Sequence, residues 1–404
     1  LDAAYKEAVL ENDRLRGELE ALRAQDTGIA AARFDEALVA LARGDTNAAD
    51  TLFSEILALE SDRQVIERQA RAHYEKGRIA DDRIDYRAAK DHFVRAAQLQ
   101  PEEVEYLFEA QSLANKAGDY RLGERFAEDM LRLAEAEGTD TLAYALAAGS
   151  LAVSLNDQAR YDDAEPLFEK ALEINLKILG ELHPNTATSY NNIAMNLRDQ
   201  GRYSEAEPLY YKSLNIYRTL LPDHHPFTLT SYNNVALNLH AQGRFAEAEP
   251  LFAKVLEARK RYLHEEHPET ATSYNNVALN LHALGKVSNA ELFYTKALGI
   301  RRRILGENHP DTAQSYNNLA ASLSDQGRFG MSEKLHKQAL ALYRRVFGEN
   351  HPETAKSYNN AASNLSAQGR YIEAERLYSK ALNIRRYVLG AVSYTHLTLP
   401  TTVS

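Results

Sequence analysis

Residues 183–224 read HPNTATSYNNIAMNLRDQGRYSEAEPLYYKSLNIYRTLLPDH, and the same pattern returns four more times downstream. His-Pro begins at His183, His225, His267, His309 and His351, 42 residues apart at every step. Ser-Tyr-Asn-Asn begins at Ser189, Ser231, Ser273, Ser315 and Ser357, and a turn glycine follows at Gly201, Gly243, Gly285, Gly327 and Gly369. A fixed period of this length marks a stack of like units, each unable to bury its apolar face alone.

Each copy holds two helical patterns. In the first, Tyr190, Ile193, Ala194 and Leu197 share one face at helical spacing. Gln200 to Tyr203 then break the helix, because glycine tolerates the positive φ such a stop requires. The second pattern sets Ala206, Leu209, Tyr210, Ser213 and Leu214 on its apolar side. A small residue recurs as Ala194, Ala236, Ala278, Ala320 and Ala362, and again as Ala206, Ala248, Ala290, Ser332 and Ala374, which lets paired helices approach closely. Tyr210, Phe252, Tyr294 and Tyr378 fill the space between repeats, and His336 alone departs from that aromatic pattern.

The repeated HP-x-TA-x-SYNN-x-A and QGR[YF]-x-EAE blocks resemble the tetratricopeptide repeat, and their 42-residue period resembles its kinesin light chain type. The basic residue after each turn glycine (Arg202, Arg244, Lys286, Arg328, Arg370) also looks familiar from that type. The resemblance implies an all-α superhelical solenoid of helix-turn-helix pairs. It covers residues 141–390 as six repeats, with looser matches around Lys286 and Met331. Three divergent copies occupy 27–140, carried by Ala37 to Phe53, Gly77 to Pro101 and Ala114 to Met130, giving nine repeats in all. The Ala- and Arg-rich upstream copies look bacterial.

The two ends read differently. Leu1, Tyr5, Ala8, Asn12, Leu15, Leu19 and Leu22 make a heptad seam over residues 1–26. It is either a coiled coil, which would give a homodimer, or a capping helix on the first repeat. Residues 391–404 lack periodicity and are expected to be an unstructured tail. The string VSYTHLTLPTT resembles the translation of a sequencing-library adapter and is left out of the fold reading. The chain starts at Leu1, so it reads as an internal or processed piece.

Composition narrows the function. A net charge of −10 argues against general nucleic-acid binding, and the lack of cysteine excludes disulfides, thiolate metal sites and cysteine nucleophiles. No apolar run approaches the ~18–20 residues that cross a bilayer, and a cytoplasmic location is expected. No phosphate loop, GxSxG elbow or HExxH occurs, so no enzyme activity and no cofactor are expected. The thirteen histidines do not suggest a metal site, since the His-Pro histidines fall one per repeat, roughly 10 Å apart given helix packing distances. The arginine clusters, Arg301 to Arg303 among them, are expected to be solvated surface at helix C-termini.

The binding expectation rests on the first helices, which line the concave side of such a stack. Beside their packing stripe runs a second one holding Thr188, Asn191, Met195 and Arg198, then Thr230, Asn233, Leu237 and His240, then Thr272, Asn275, Leu279 and His282. Gln314, Asn317, Ala321 and Ser324 follow, and Lys356, Asn359, Ser363 and Ser366 end it. Asparagine both donates and accepts, so this row can clamp the main chain of an extended peptide or partner protein. The first asparagine of each pair is expected to meet the ligand and the second (Asn192, Asn234, Asn276, Asn318, Asn360) to serve the structure. The alternative is that the asparagines bond neighbouring repeats. Arg198, His240, His282 and Lys356 offer modest positive charge, opposed by Asp199 and Asp325, so the acidic cargo motifs of kinesin light chains are not carried over. A second functional reading is the sensor or substrate-recruiting arm of a larger enzyme or signalling protein.

Overall fold

The computed structural model describes residues 29–57, 63–83, 85–117 and 119–395, and these hold eighteen helices and no strand. The chain divides into two compact units, residues 1–178 and 179–404. The heptad residues 1–26 lie outside the described residues.

In the first unit α1 (Ile29–Ala42) pairs with α2 (Thr46–Leu57), α3 (Arg63–Asp82) with α4 (Tyr86–Leu99), and α5 (Val104–Lys116) with α6 (Tyr120–Glu137), while α7 (Leu142–Asp157) meets α8 (Tyr161–Leu179) through Ala145, Ala171 and Ile174. One apolar core there joins Tyr74, Phe93, Tyr106, Leu107, Leu113, Phe126 and Met130.

In the second unit α9 (Pro184–Asp199) pairs with α10 (Tyr203–Leu220), α11 (Pro226–Ala241) with α12 (Phe245–Leu263), and α13 (Pro268–Ala283) with α14 (Val287–Ile304). Then α15 (Pro310–Asp325) pairs with α16 (Phe329–Phe347), and α17 (Pro352–Ala367) with α18 (Tyr371–Thr395). Helix α18 runs five residues beyond Gly390, where the repeat pattern stops, and residues 396–404 lie outside the described residues.

Helix starts and stops in this unit follow from the repeated motif. Each His-Pro histidine is an N-cap. The main-chain N–H two residues on donates to its Nδ1, at 3.1 Å from Asn185 to His183 and 3.1 Å from Glu269 to His267. Proline follows at the first helical position, where its missing N–H leaves no acceptor unpaired. At the other end the turn glycine adopts φ near 80°, and the next N–H reaches back over the last turn, as from Arg202 to the Leu197 carbonyl at 2.8 Å. That is the Schellman arrangement. Ala159 occupies the same turn in α7–α8 at φ 60°, and His264 occupies the later loop position of Gly306 and Gly348 at φ 69°.

The small residues at the crossings are fully buried, Ala194, Ala236, Ala278, Ala320 and Ala362 among them. Tyr210, Phe252 and Tyr294 are buried between repeats, whereas Tyr378, in the last described pair, is 39 % exposed. His336 is buried in the aromatic register. Glu207, Glu249, Glu291 and Glu333 each take the basic residue of the following turn: Arg244 at 2.7 Å, Lys286 at 2.7 Å, Arg328 at 2.6 Å and Arg370 at 2.7 Å. The recurring acid of EAE and the recurring base of QGR are thus two ends of one inter-repeat ion pair.

Candidate functional site

First helices of successive repeats touch directly, α13 against α15 and α15 against α17. They therefore present one continuous face of repeated side chains. The threonine, serine and tyrosine that precede the asparagines make local bonds that fix that face. Thr312 Oγ1 donates to the Gly306 carbonyl at 2.8 Å, and Tyr316 Oη donates to Glu307 Oε2 at 2.9 Å, pinning the loop that enters the helix. Ser273 Oγ donates to the Glu269 carbonyl one turn earlier. Tyr358 and Glu349 repeat the tyrosine contact at 2.6 Å.

The asparagine pairs link repeat to repeat. Asn234 Nδ2 donates to Asn191 Oδ1 at 2.7 Å, Asn276 Nδ2 to Asn233 Oδ1 at 2.8 Å, and Asn318 Nδ2 to Asn275 Oδ1 at 2.7 Å. Each second asparagine thus reaches back to the first asparagine of the preceding pair. The first asparagine spends its carbonyl on this bond and keeps its amide hydrogens. Asn191 and Asn275 turn theirs toward the following asparagine at a distant 3.5 Å, and that of Asn233 has no partner among the described residues. Asn233, Asn275 and Asn317 are buried, while Asn191 and Asn359 are half-buried.

The pattern changes at the fourth asparagine pair of the row. His336 Nδ1 lies 3.0 Å from Asn317 Oδ1, a contact that needs its proton on Nδ1, and Asn317 Nδ2 donates to Ser357 Oγ at 3.3 Å. Asn360 therefore does not repeat the bond of its equivalents, and neither Asn359 nor Asn360 has a side-chain hydrogen bond among the described residues. Burial pushes the His336 imidazole down to about 4, which keeps it neutral at ordinary pH.

The other expected contact residues fall on the same face. Met195, Leu237 and Leu279 are half-buried and in register. The cations among them are already engaged. Arg198 pairs with Asp199 at 2.8 Å, His282 Nε2 lies 3.0 Å from Asp325 Oδ2, and Lys356 lies 3.6 Å from Glu353. His240 Nδ1 sits 3.0 Å from Asn280 Oδ1. Along this stripe the basic side chains already have partners within the chain, while Met195, Leu237 and Leu279 stay half-buried.

Two features escaped the sequence reading. Asn238 and Asn280 donate to the Tyr203 and Phe245 carbonyls of the preceding repeat, at 3.0 and 2.9 Å. Their recurrence at 42 residues was the available signal. Arg301 is 2 % exposed, so it does not belong to the solvated cluster it was grouped with; Arg302 and Arg303 remain exposed. No group of three or more metal-ligating side chains converges among the described residues, and no helix among them is long and apolar enough to cross a membrane.

The tetratricopeptide repeat profile matches residues 143–219, 227–303, 293–345 and 311–386, together more than half of the chain. No curated protein matches it. Among solved structures, the kinesin light chain nearly identical TPR-like repeats of Podosopora anserina are 25 % identical, with 51 % of this chain and 97 % of that one covered and a TM-score of 0.42. BtubC (BKLC) from P. vanneervenii is 22 % identical over 62 % of this chain and 94 % of its own, at a TM-score of 0.44. The apo form of the quorum sensor NprR from B. thuringiensis is 16 % identical over 88 % and 98 %, at 0.55, a likeness of fold. The chain belongs to the tetratricopeptide repeat family, an all-α solenoid of helix-turn-helix pairs whose members act as protein–protein interaction scaffolds.

Proposed function

We propose that this tetratricopeptide-repeat chain binds an extended peptide, or an extended segment of a partner protein, along the face of its first helices. The observation that carries the reading is the division of labour within each asparagine. The inter-repeat bonds at Asn191, Asn233 and Asn275 consume the side-chain carbonyl and leave the amide hydrogens without a close partner. Hydrogens repeated at each stacked helix suit the carbonyls of an extended main chain, and each such bond contributes about 1 kcal/mol net. Leu237 and Leu279 add half-buried apolar anchors, while Arg198, His240 and His282 border the row. A ligand held this way is read mainly through its backbone.

The test uses the full chain and leaves the asparagines intact, because they also join the repeats. Leu237→Glu with Leu279→Glu alters the proposed face, and Leu292→Glu, at a 58 % exposed site on α14, alters another. Octapeptides selected by the parent are expected to lose affinity about tenfold or more with the first variant and to keep it with the second. Equal binding by all three proteins contradicts the reading. Replacing main-chain amides of the selected peptides by thioamides, whose sulfur is a weaker hydrogen-bond acceptor, is expected to weaken binding to the parent.

A further inference from the structure

The second helices carry one buried position that reaches between first helices. It is occupied by Tyr217, Arg259, Arg301 and Tyr343, 42 residues apart. Tyr217 Oη sits 2.7 Å from Thr188 Oγ1, a neutral contact. Arg259 is charged but compensated, with Nη2 2.6 Å from the Glu269 carboxylate and Nη1 donating to the Glu269 carbonyl and Ser273 Oγ.

Arg301 has the charge without the carboxylate. Its Nη1 donates to the Asp311 carbonyl at 3.0 Å, Ser315 Oγ at 2.9 Å and Gln314 Oε1 at 3.3 Å, and its Nη2 donates to Thr272 Oγ1 at 3.1 Å. All four acceptors are neutral. The residue in the register of Glu269 is Asp311, one methylene shorter, and among the described residues it makes no ion pair with Arg301; its carboxylate lies 4.0 Å from His309 Nδ1 instead. Arg301 Nε is buried with no hydrogen-bond partner among the described residues. The carboxylates of Asp311 and Glu269 act on it electrostatically, but neither forms an ion pair with it among the described residues, and a guanidinium out of water without a contacting anion is costly. Its Nε–Nη2 edge is the side that grips a carboxylate through two parallel bonds.

Thr272, the acceptor of Nη2, locates this edge relative to the groove, since it belongs to the half-buried stripe of the first helices. We propose that Arg301 is an acid-reading subsite of that groove, where the carboxylate of an aspartate or glutamate in the bound segment displaces Thr272 from Nη2, takes up Nε and supplies a contacting counter-charge. Thr272 Oγ1 keeps its bond to the Pro268 carbonyl when it gives up the arginine. The proposal rests on the groove reading above and adds a position-specific preference to it. Elsewhere on the stripe Arg198, His282 and Lys356 already face acids of this chain, so the preference is confined to one ligand position.

The experiment uses the full chain and acetylated, amidated octapeptides with aspartate placed at each position in turn, compared with the same peptides carrying asparagine. The parent is expected to favour aspartate at one position by about tenfold or more, the scale of a charge-assisted bond. Arg301→Tyr installs the residue found at 217 and 343 and is expected to abolish the preference. Asp311→Glu offers Arg301 the intramolecular carboxylate that Glu269 gives Arg259, and is expected to abolish it with the arginine still present. Arg259→Tyr is expected to leave it unchanged. Circular dichroism checks that each variant is folded, and Asp311→Glu decides if Arg301→Tyr is not. An aspartate preference that survives Asp311→Glu and any folded Arg301→Tyr overturns the proposal, as does its absence from a parent that still binds the peptides. A parent that retains no octapeptide overturns the groove reading itself, and the subsite with it.

Discussion

Asn276 donates to Asn233 across the boundary between two repeats, at 2.8 Å and with both side chains buried. The equivalent bond from Asn360 to Asn317 is missing because His336 takes the acceptor. Two residues with the same motif position therefore have different energetic roles. Asn276→Ala is expected to destabilise the protein by about 1–3 kcal/mol, since it removes a buried bond and strands its partner's carbonyl. Asn360→Ala is expected to stay within about 0.5 kcal/mol of the parent. Urea unfolding of both variants at pH 7.5 checks the contrast.

Ala159 and His264 hold positive φ where equivalent positions in other repeats use glycine. A side chain there meets the backbone strain that glycine avoids. Ala159→Gly and His264→Gly are each expected to stabilise by about 1 kcal/mol, against the usual trend for glycine substitutions. Gly243→Ala, at φ 77°, should lose a similar amount. Thermal unfolding of the three variants gives the sign directly.

The helix pairs, their caps and the buried alanines were legible because each depends on local spacing that recurs five times. What lay beyond the sequence was partnership across repeats. The two residues of Asn-Asn look alike in the chain, and only the stacking of α13 on α11 shows that Asn276 donates and Asn233 accepts. Arg301 was read with Arg302 and Arg303 as surface, yet successive helical residues point about 100° apart. Its register with Tyr217 and Tyr343 was the better guide, because tyrosine at a periodic position marks burial. The site expectation placed the contact residues on one face, while the internal partners of Arg198, His240 and His282 depend on neighbours 1 to 43 residues away and had to come from the structure.

His336 makes stability depend on pH. Burial lowers its pKa from 6.5 to about 4, so the unfolded chain takes up this proton first as pH falls. The stabilising contribution is complete above about 6.5, is lost progressively between 6.5 and 4, and changes no further below that. His336→Tyr restores the aromatic of the other repeats and is expected to flatten the fall measured by urea unfolding at pH 7, 5.5 and 4.5. The half-buried pair His73 and His92, with His73 also pushed down to about 4, leaves a residual slope from the first unit.

The histidine caps give a second, more local handle. His267 accepts the Glu269 N–H through Nδ1, which requires that nitrogen to be unprotonated, and burial lowers its pKa. His267→Ala is expected to cost about 1 kcal/mol at pH 7.5 and His267→Asp much less, since a carboxylate caps equally well and complements the helix dipole. Unfolding at pH 7.5 compares the two.

Hydrogen–deuterium exchange on the full chain, with and without a saturating selected octapeptide, tests most directly whether the first-helix face is the binding site. The account predicts added protection in α9, α11 and α13, centred on Asn191, Asn233 and Asn275, with α12 and α14 little changed. Protection confined to the second helices, or none in the second unit while the peptide is demonstrably bound, contradicts it.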